Sequence, residues 1–165
     1  MTDGPLSSYR TLVTASQLKP DAAQEFAAEK LDILHHELES YNPKGSGKGW
    51  FRRWVLAKQD ATNPPRGFYI YGGVGVGKSM LMELLAKSLP GRCLRLHFHE
   101  LMRDIHSEIH RLRQFQGSDD GDLIPSIADG IAENTTVLCL DEMEVRDIAD
   151  AMIVSRVFSH LFECG

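Results

Sequence analysis

Apolar residues recur along this chain in two rhythms. The first has the period of an α-helix. Ala27, Leu31, Leu34 and Leu38 stand at i, i+4, i+7 and i+11, so one apolar face runs from Asp21 to about Ser40. Asp21 occupies the N-cap position and Gln24 follows three residues later, close to a capping box. His35 and His36 are expected at the edge of that face. A second helix begins around Met80-Leu81-Met82 and is stopped by Pro90-Gly91. A third runs from His99 to about Phe115 with Met102, Ile105, Ile109 and Leu112 inward. A short one lies near Pro125–Glu133. Beyond Asp147, the residues Ile148, Ala151, Met152, Ser155, Phe158 and Phe162 mark a last helix. Between these stretches lie short, continuous apolar runs, read as strands at about 67–71, 93–98 and 135–140. Short strands separated by helices, the last of them an apolar β-branched run, predict an α/β fold with a parallel sheet. Residues 1–20 are polar and turn-rich. Pro43 to Gly49 reads as a flexible basic break, and Asn63-Pro64-Pro65-Arg66-Gly67 as a turn leading into the first strand.

The chemistry sits where the first strand meets its helix. Residues 72–79 read Gly-Gly-Val-Gly-Val-Gly-Lys-Ser and fit the phosphate-binding pattern G-x-x-x-x-G-K-[ST]. The aromatic run Phe68-Tyr69-Ile70-Tyr71 precedes them and a helical run follows, the context the pattern requires. Here Gly72, Gly73, Val74, Gly75, Val76 and Gly77 supply backbone N–H groups that can converge on phosphate oxygens, aided by the helix N-terminus behind them. Lys78 is placed to reach the β- and γ-phosphates, and Ser79 to ligate Mg²⁺. A second motif, 63 residues after Lys78, makes the first more specific. Thr135 to Leu140 ends in Asp141-Glu142, an acidic pair at the C-terminal end of a buried strand, where open α/β sheets place their ligands. Asp141 is expected to hold Mg²⁺ through its water shell. Glu142 is expected to orient and deprotonate the attacking water. Phosphoryl transfer asks mainly for positioning and charge neutralisation, so few groups suffice. The Glu after the Asp favours ATP hydrolysis, and the sequence has no Asn-Lys-x-Asp guanine-reading motif. Lys78, Asp141 and Glu142 are thus the expected catalytic residues, with ATP and Mg²⁺ as substrate and cofactor.

Composition narrows the remaining classes. The 165 residues are enough for one domain, and 42% hydrophobic with 25% charged residues is the balance of a globular chain. No run of about 18 apolar residues suggests a membrane span. The first residues show no signal or transit peptide. A net charge of −5 argues against nucleic-acid binding by bulk electrostatics. Cys93, Cys139 and Cys164 are an odd count without metal spacing, so a reducing cytoplasm is the expected compartment. Trp50 to Lys58 is aromatic and basic together. It could contact single-stranded nucleic acid, but more often such a segment packs its aromatics on the core. His106 and His110 have a zinc-compatible spacing with no evident acidic or cysteine partner. His99-Glu100-Leu101-Met102-Arg103 opens like a zincin helix but carries Arg where the second His belongs. Gly117 to Asp122 is an acidic loop.

Several stretches together resemble one family. These are Gly4-Pro5, Tyr9-Arg10, Leu12-Val13, Pro20-Asp21-x-x-Gln24, the phosphate loop with Met80-Leu81-Met82, His97-Phe98-His99-Glu100-Leu101-Met102, Leu138 to Glu142, and Asp147 to Ile153. They resemble the ZapE family of AAA+ ATPases, which has a bacterial division-associated branch and mitochondrial AFG-like relatives. Ser79 stands where Thr is usual, and Leu140 and Met143 where Phe is common. The resemblance implies a P-loop NTPase of AAA+ type: a three-layer α/β/α core with five parallel strands in the order 5-1-4-3-2. On that frame residues 1–66 form an N-terminal helical segment and linker, and residues 67–165 a partial core ending before strand 4. The sensor, arginine finger and lid are then missing, and the chain reads as a fragment with impaired hydrolysis. The resemblance further implies ATP hydrolysis, homo-oligomers, a cell-division protein as partner, and a cytoplasmic location that can be peripheral to the inner membrane. The sequence does not place the adenine contacts; the Tyr9–Arg10 region is one candidate, because N-terminal linkers of this class often cover the base. The main rival reading is a nucleotide-dependent adaptor that docks on a division or membrane partner. A small-molecule kinase would need an acceptor pocket and lid arginines, and a helicase loader fits the acidic charge poorly.

Overall fold

The computed structural model describes residues 3–41, 64–116 and 121–164. They belong to two compact units, one of residues 3–41 with 64–93 and one of residues 94–116 with 121–164. The basic break at Pro43–Gly49, the aromatic-basic segment at Trp50–Lys58 and most of the acidic loop after Gln116 lie outside the described residues.

The first unit is three helices: α1 (Pro5–Thr14), α2 (Ala22–Ser40) and α3 (Lys78–Ser88), each packed on the other two. Helix α1 falls where turns were expected. Pro5 stands at its first position, where the missing N–H costs nothing. Tyr9 then fixes it to α2, for its ring is buried and its hydroxyl donates to Asp21 O and accepts from Asp21 N, both at 3.1 Å. Gly4 is required at the start of α1, because a Cβ there would collide with the Asp32 carboxylate. The same carboxylate accepts from Leu6 N at 3.2 Å, satisfying one of the orphan N–H groups of the first turn. Helix α2 matches expectation. Asp21 Oδ1 caps it, accepting from Ala23 N at 2.8 Å and Gln24 N at 3.0 Å. Leu31, Leu34 and Leu38 are buried with Leu81, Leu84, Leu85 and Leu89. Burial of each such leucine is worth about 2 kcal/mol. His35, expected at the edge, lies inside the unit at 2% exposure, and neither ring nitrogen has a hydrogen-bond partner. Arg92 closes the far end of α2, donating to Leu38 O and Tyr41 O at 2.6 Å each.

The second unit holds the sheet. Strands β1 (Cys93–His97) and β2 (Val137–Asp141) pair in parallel. Between them come α4 (Phe98–Gln116) and α5 (Ile124–Asn134), and α6 (Ile148–Cys164) follows β2. Parallel neighbours need such a helical crossover. The core joins Phe98, Leu101, Met102 and Ile105 of α4 to Ile124, Ile127 and Ala128 of α5 and Val154 and Val157 of α6. Glu100 reaches back to accept from His97 N at 2.9 Å, and Asp147 Oδ1 accepts from Ala149 N at 2.6 Å, so α4 and α6 each start on a carboxylate. No helix among the described residues is long and apolar enough to cross a membrane.

The first expected strand is corrected. Residues 67–71 form no strand. Among the described residues the sheet has two strands, and Phe68, Tyr69 and Tyr71 are exposed, 52–83%, with the two tyrosine rings stacked on each other. A strand exists only through its partner's hydrogen bonds, and this segment has no ladder. The helix expected beyond Asp147 is present as α6. Val154 and Val157 are buried with Ile153, Phe158 and Leu161 packed around them, while Ile148, Met152 and Phe162 are exposed.

Candidate functional site

The glycine-rich loop belongs to the first unit. Residues 74–77 turn sharply and deliver the chain into α3 at Lys78. Gly75 and Gly77 have φ of 80° and 89°, a left-handed backbone that a Cβ disfavours. Gly77 is the N-cap of α3 and has no side chain with which to cap it; its carbonyl accepts from Leu81 N at 3.0 Å. The N–H groups of Lys78, Ser79 and Met80 therefore open the helix without intrahelical partners, the arrangement that favours anions. Val74 is fully exposed and Ser79 exposed. Lys78 folds back over the loop, its Nζ donating to Gly72 O at 3.0 Å and Gly73 O at 2.7 Å. Positive charge, free helical N–H groups and the loop that carries them are thus gathered in eight consecutive residues.

One participant was missed in the sequence. Gln24, assigned to a capping box, does not reach back to the Asp21 amide, because Tyr9 already fills that role. Its Nε2 instead donates to Val76 O at 3.1 Å, and Gln24 Oε1 is buried without a partner. Space for this amide exists because residue 77 is glycine, since a Cβ there would lie 2.9 Å from Nε2. The N-terminal helix α2 thereby touches the loop. Tyr9, by contrast, is buried with its hydroxyl engaged, and the exposed Arg10 bonds Glu25 at 3.0 Å.

The acidic pair belongs to the second unit. Asp141 ends β2 at 7% exposure, and Arg95 of neighbouring β1 donates to its Oδ2 at 3.2 Å. Asp141 Oδ1 accepts from Glu142 N at 3.1 Å. Glu142 itself has φ of 51°, a strained backbone for a residue with a Cβ, and strain of this kind gathers at functional positions. Its carboxylate is mostly exposed and lies 3.9 Å from His97 Nδ1. Arg95 and His97 alternate with Leu94 and Leu96, so both polar side chains leave β1 on the same face. That alternation was the sequence signal for their role. Two residues further on, the Arg146 guanidinium bonds Glu144 and holds its carboxyl below the ordinary range. His106 and His110, four residues apart on α4, have different partners. His106 pairs with Asp150 at 2.7 Å and His110 with Gln114 at 3.0 Å.

Comparison with known proteins gives these features a family. The chain is 38% identical to the cell division protein ZapE of Escherichia coli over 98% of its own length and 43% of that protein's. It is 36% identical to an uncharacterized protein of Schizosaccharomyces pombe over 98% of this chain and 41% of that one. It is 44% identical to lactation elevated protein 1 homolog B of Danio rerio over 62% of this chain and 22% of that one. The chain thus spans less than half the length of these relatives. No solved structure matches it. Residues 4–165 match the profile of the AFG1-like ATPase, and with relatives so similar over nearly all its length, this chain belongs to the AFG1-like ATPase family.

Proposed function

We propose that this chain binds ATP on the 72–79 loop and takes part in its Mg²⁺-dependent hydrolysis. The observation that carries the reading is the loop itself: glycines in left-handed conformations, a helix opened by uncapped N–H groups, and Lys78 turned inward over them. In this reading the main-chain amides of Gly73 to Gly77 hold the phosphates and Lys78 neutralises their charge. The donor set suits magnesium, because the Ser79 hydroxyl and the Asp141 carboxylate are the hard oxygen ligands that ion prefers. When bound, the ion would balance charge on the phosphates. Glu142, exposed at the end of β2, accepts the proton of the attacking water. Arg95 holds the Asp141 carboxylate in place.

The finer assignments belong to the same proposal. Residues 1–66 act as an N-terminal segment and residues 67–165 as part of an AAA+ core, three-layered and completed by further strands. Residues 67–71 have no ladder partner among the described residues, and in this reading hydrolysis by this chain alone is slow. By the name of its Escherichia coli relative, a role in cell division is the proposed setting, with a division protein and further copies of the chain as partners. The test is nucleotide binding by calorimetry with and without Mg²⁺. Lys78→Ala is expected to weaken ATP binding about 10- to 100-fold, the effect of one charge-assisted hydrogen-bonding group. Unchanged affinity removes the site.

A further inference from the structure

Helices α5 and α6 bring together three side chains that the ATPase reading does not use. Asp129 lies on α5. His160 and Cys164 lie one turn apart on α6, where i and i+4 share a face. One oxygen, one nitrogen and one sulfur from these residues all fall within 4.8 Å of one another. His160 Nε2 is 2.9 Å from Asp129 Oδ1, and Cys164 Sγ is 3.8 Å from the same oxygen. Cys164 is a thiol outside any disulfide. All three side chains are partly buried, sheltered from bulk water yet open to an entering ion.

We propose that Asp129, His160 and Cys164 form a site for a thiophilic divalent cation of the zinc class. The distances carry the argument. A tetrahedral ion with ordinary Zn–O, Zn–N and Zn–S bonds holds its ligand atoms about 3.2–3.6 Å apart. The 2.9 Å pair has to open, and the 3.8 Å pair to close, by only about 0.2–0.4 Å to meet that geometry. The chemistry agrees with the distances. Imidazole nitrogen, thiolate sulfur and one carboxylate oxygen are the mixed set that selects zinc and rejects magnesium, which takes oxygen ligands in octahedral geometry. Binding replaces the thiol proton, which leaves to solvent. The dipositive ion is then balanced by one carboxylate and one thiolate. Three protein ligands leave a fourth position for water. The other cluster in the described residues, His35 with His36 and Glu39, fits less well. His36 already bonds Asp32 and Glu39, and adjacent helical residues point about 100° apart.

The site does not depend on the nucleotide reading, and the test keeps them apart. Zinc is titrated into the full-length protein against a chromogenic chelator, without nucleotide and with excess Mg²⁺. One equivalent is expected to bind, and cobalt in its place is expected to show a thiolate-to-metal charge-transfer band. Cys164→Ser and His160→Gln are expected each to weaken zinc at least about tenfold and Cys164→Ser to abolish the cobalt band. Lys78→Ala and His36→Gln are expected to leave zinc binding unchanged. Asp129→Asn, at a half-exposed position, provides a variant whose folding is not in question, and it too is expected to weaken binding. The proposal is overturned by the absence of stoichiometric zinc, by binding that survives Cys164→Ser with no cobalt band, or by binding lost in His36→Gln.

Discussion

Gln24 shows how a single side chain changes its assignment once its neighbours are known. Its position three residues after Asp21 points to a capping box, and the cap is real, but the reciprocal half is taken by the Tyr9 hydroxyl. The amide is thereby released to hold Val76 O. Gln24→Ala removes one partly exposed hydrogen bond and is expected to lower stability by about 0.5–1.5 kcal/mol, read as a modest fall in the thermal midpoint. It should also loosen the loop and weaken ATP by less than tenfold. Lys78→Ala should do the reverse: strong loss of nucleotide, little change in midpoint. If Gln24→Ala leaves both quantities untouched, its bond to the loop carries no energy. His35 is the other residue that sequence misplaced. A lone polar residue beside an apolar stripe can turn either way, and here the close approach of α1 at Gly4 covers it.

Among the elements, legibility followed local causes. Helix α2 was readable from its cap and its leucine spacing, and α4 from a stripe that ran true from Met102 to Leu112. Strand β2 was readable from a continuous apolar run and β1 from a short leucine-bearing run, each lying between helices. The run at 67–71 looked the same, but pairing is a property of two segments and one sequence window holds only one of them. Helix α1 escaped notice because its stability comes from Tyr9 and Asp32 contacts with α2 rather than from its own propensity. Helix α6 has apolar residues on more than one side, so periodicity alone selects no face. Packing decides it, and a paired substitution tests the choice. Val157→Ala, at 0% exposure, is expected to cost about 1–3 kcal/mol in chemical denaturation. Met152→Ser, at 64% exposure, should stay within about 0.5 kcal/mol. Equal costs would exclude this packing of α6.

At the scale of the whole molecule, the two motifs of the proposed nucleotide chemistry fall in different compact units, the loop in one and the acidic pair in the other. Both motifs were legible as strings, because each needs only consecutive residues. What the strings hid were the long-range supports, Gln24 behind the loop and Arg95 beside Asp141. Glu142→Gln separates an ATP-driven enzyme from a nucleotide-dependent adaptor. In the full-length protein it is expected to slow hydrolysis about 10²- to 10⁴-fold while ATP affinity stays within a few-fold. Undiminished turnover would exclude Glu142 as the base. If the biological activity survives with hydrolysis blocked, the adaptor reading prevails.

If the loop holds phosphate as proposed, the two bonds from the Lys78 ammonium to Gly72 O and Gly73 O make ligand capture an exchange reaction. An arriving phosphate inherits a cation that already has clients, so the measured affinity is a difference between two sets of contacts. A shorter side chain at 78 would also leave two carbonyls to seek other donors. The apparent penalty of losing the lysine therefore mixes a weaker grip with a reshaped resting loop, and only a comparison of loop conformation in wild type and variant can divide it.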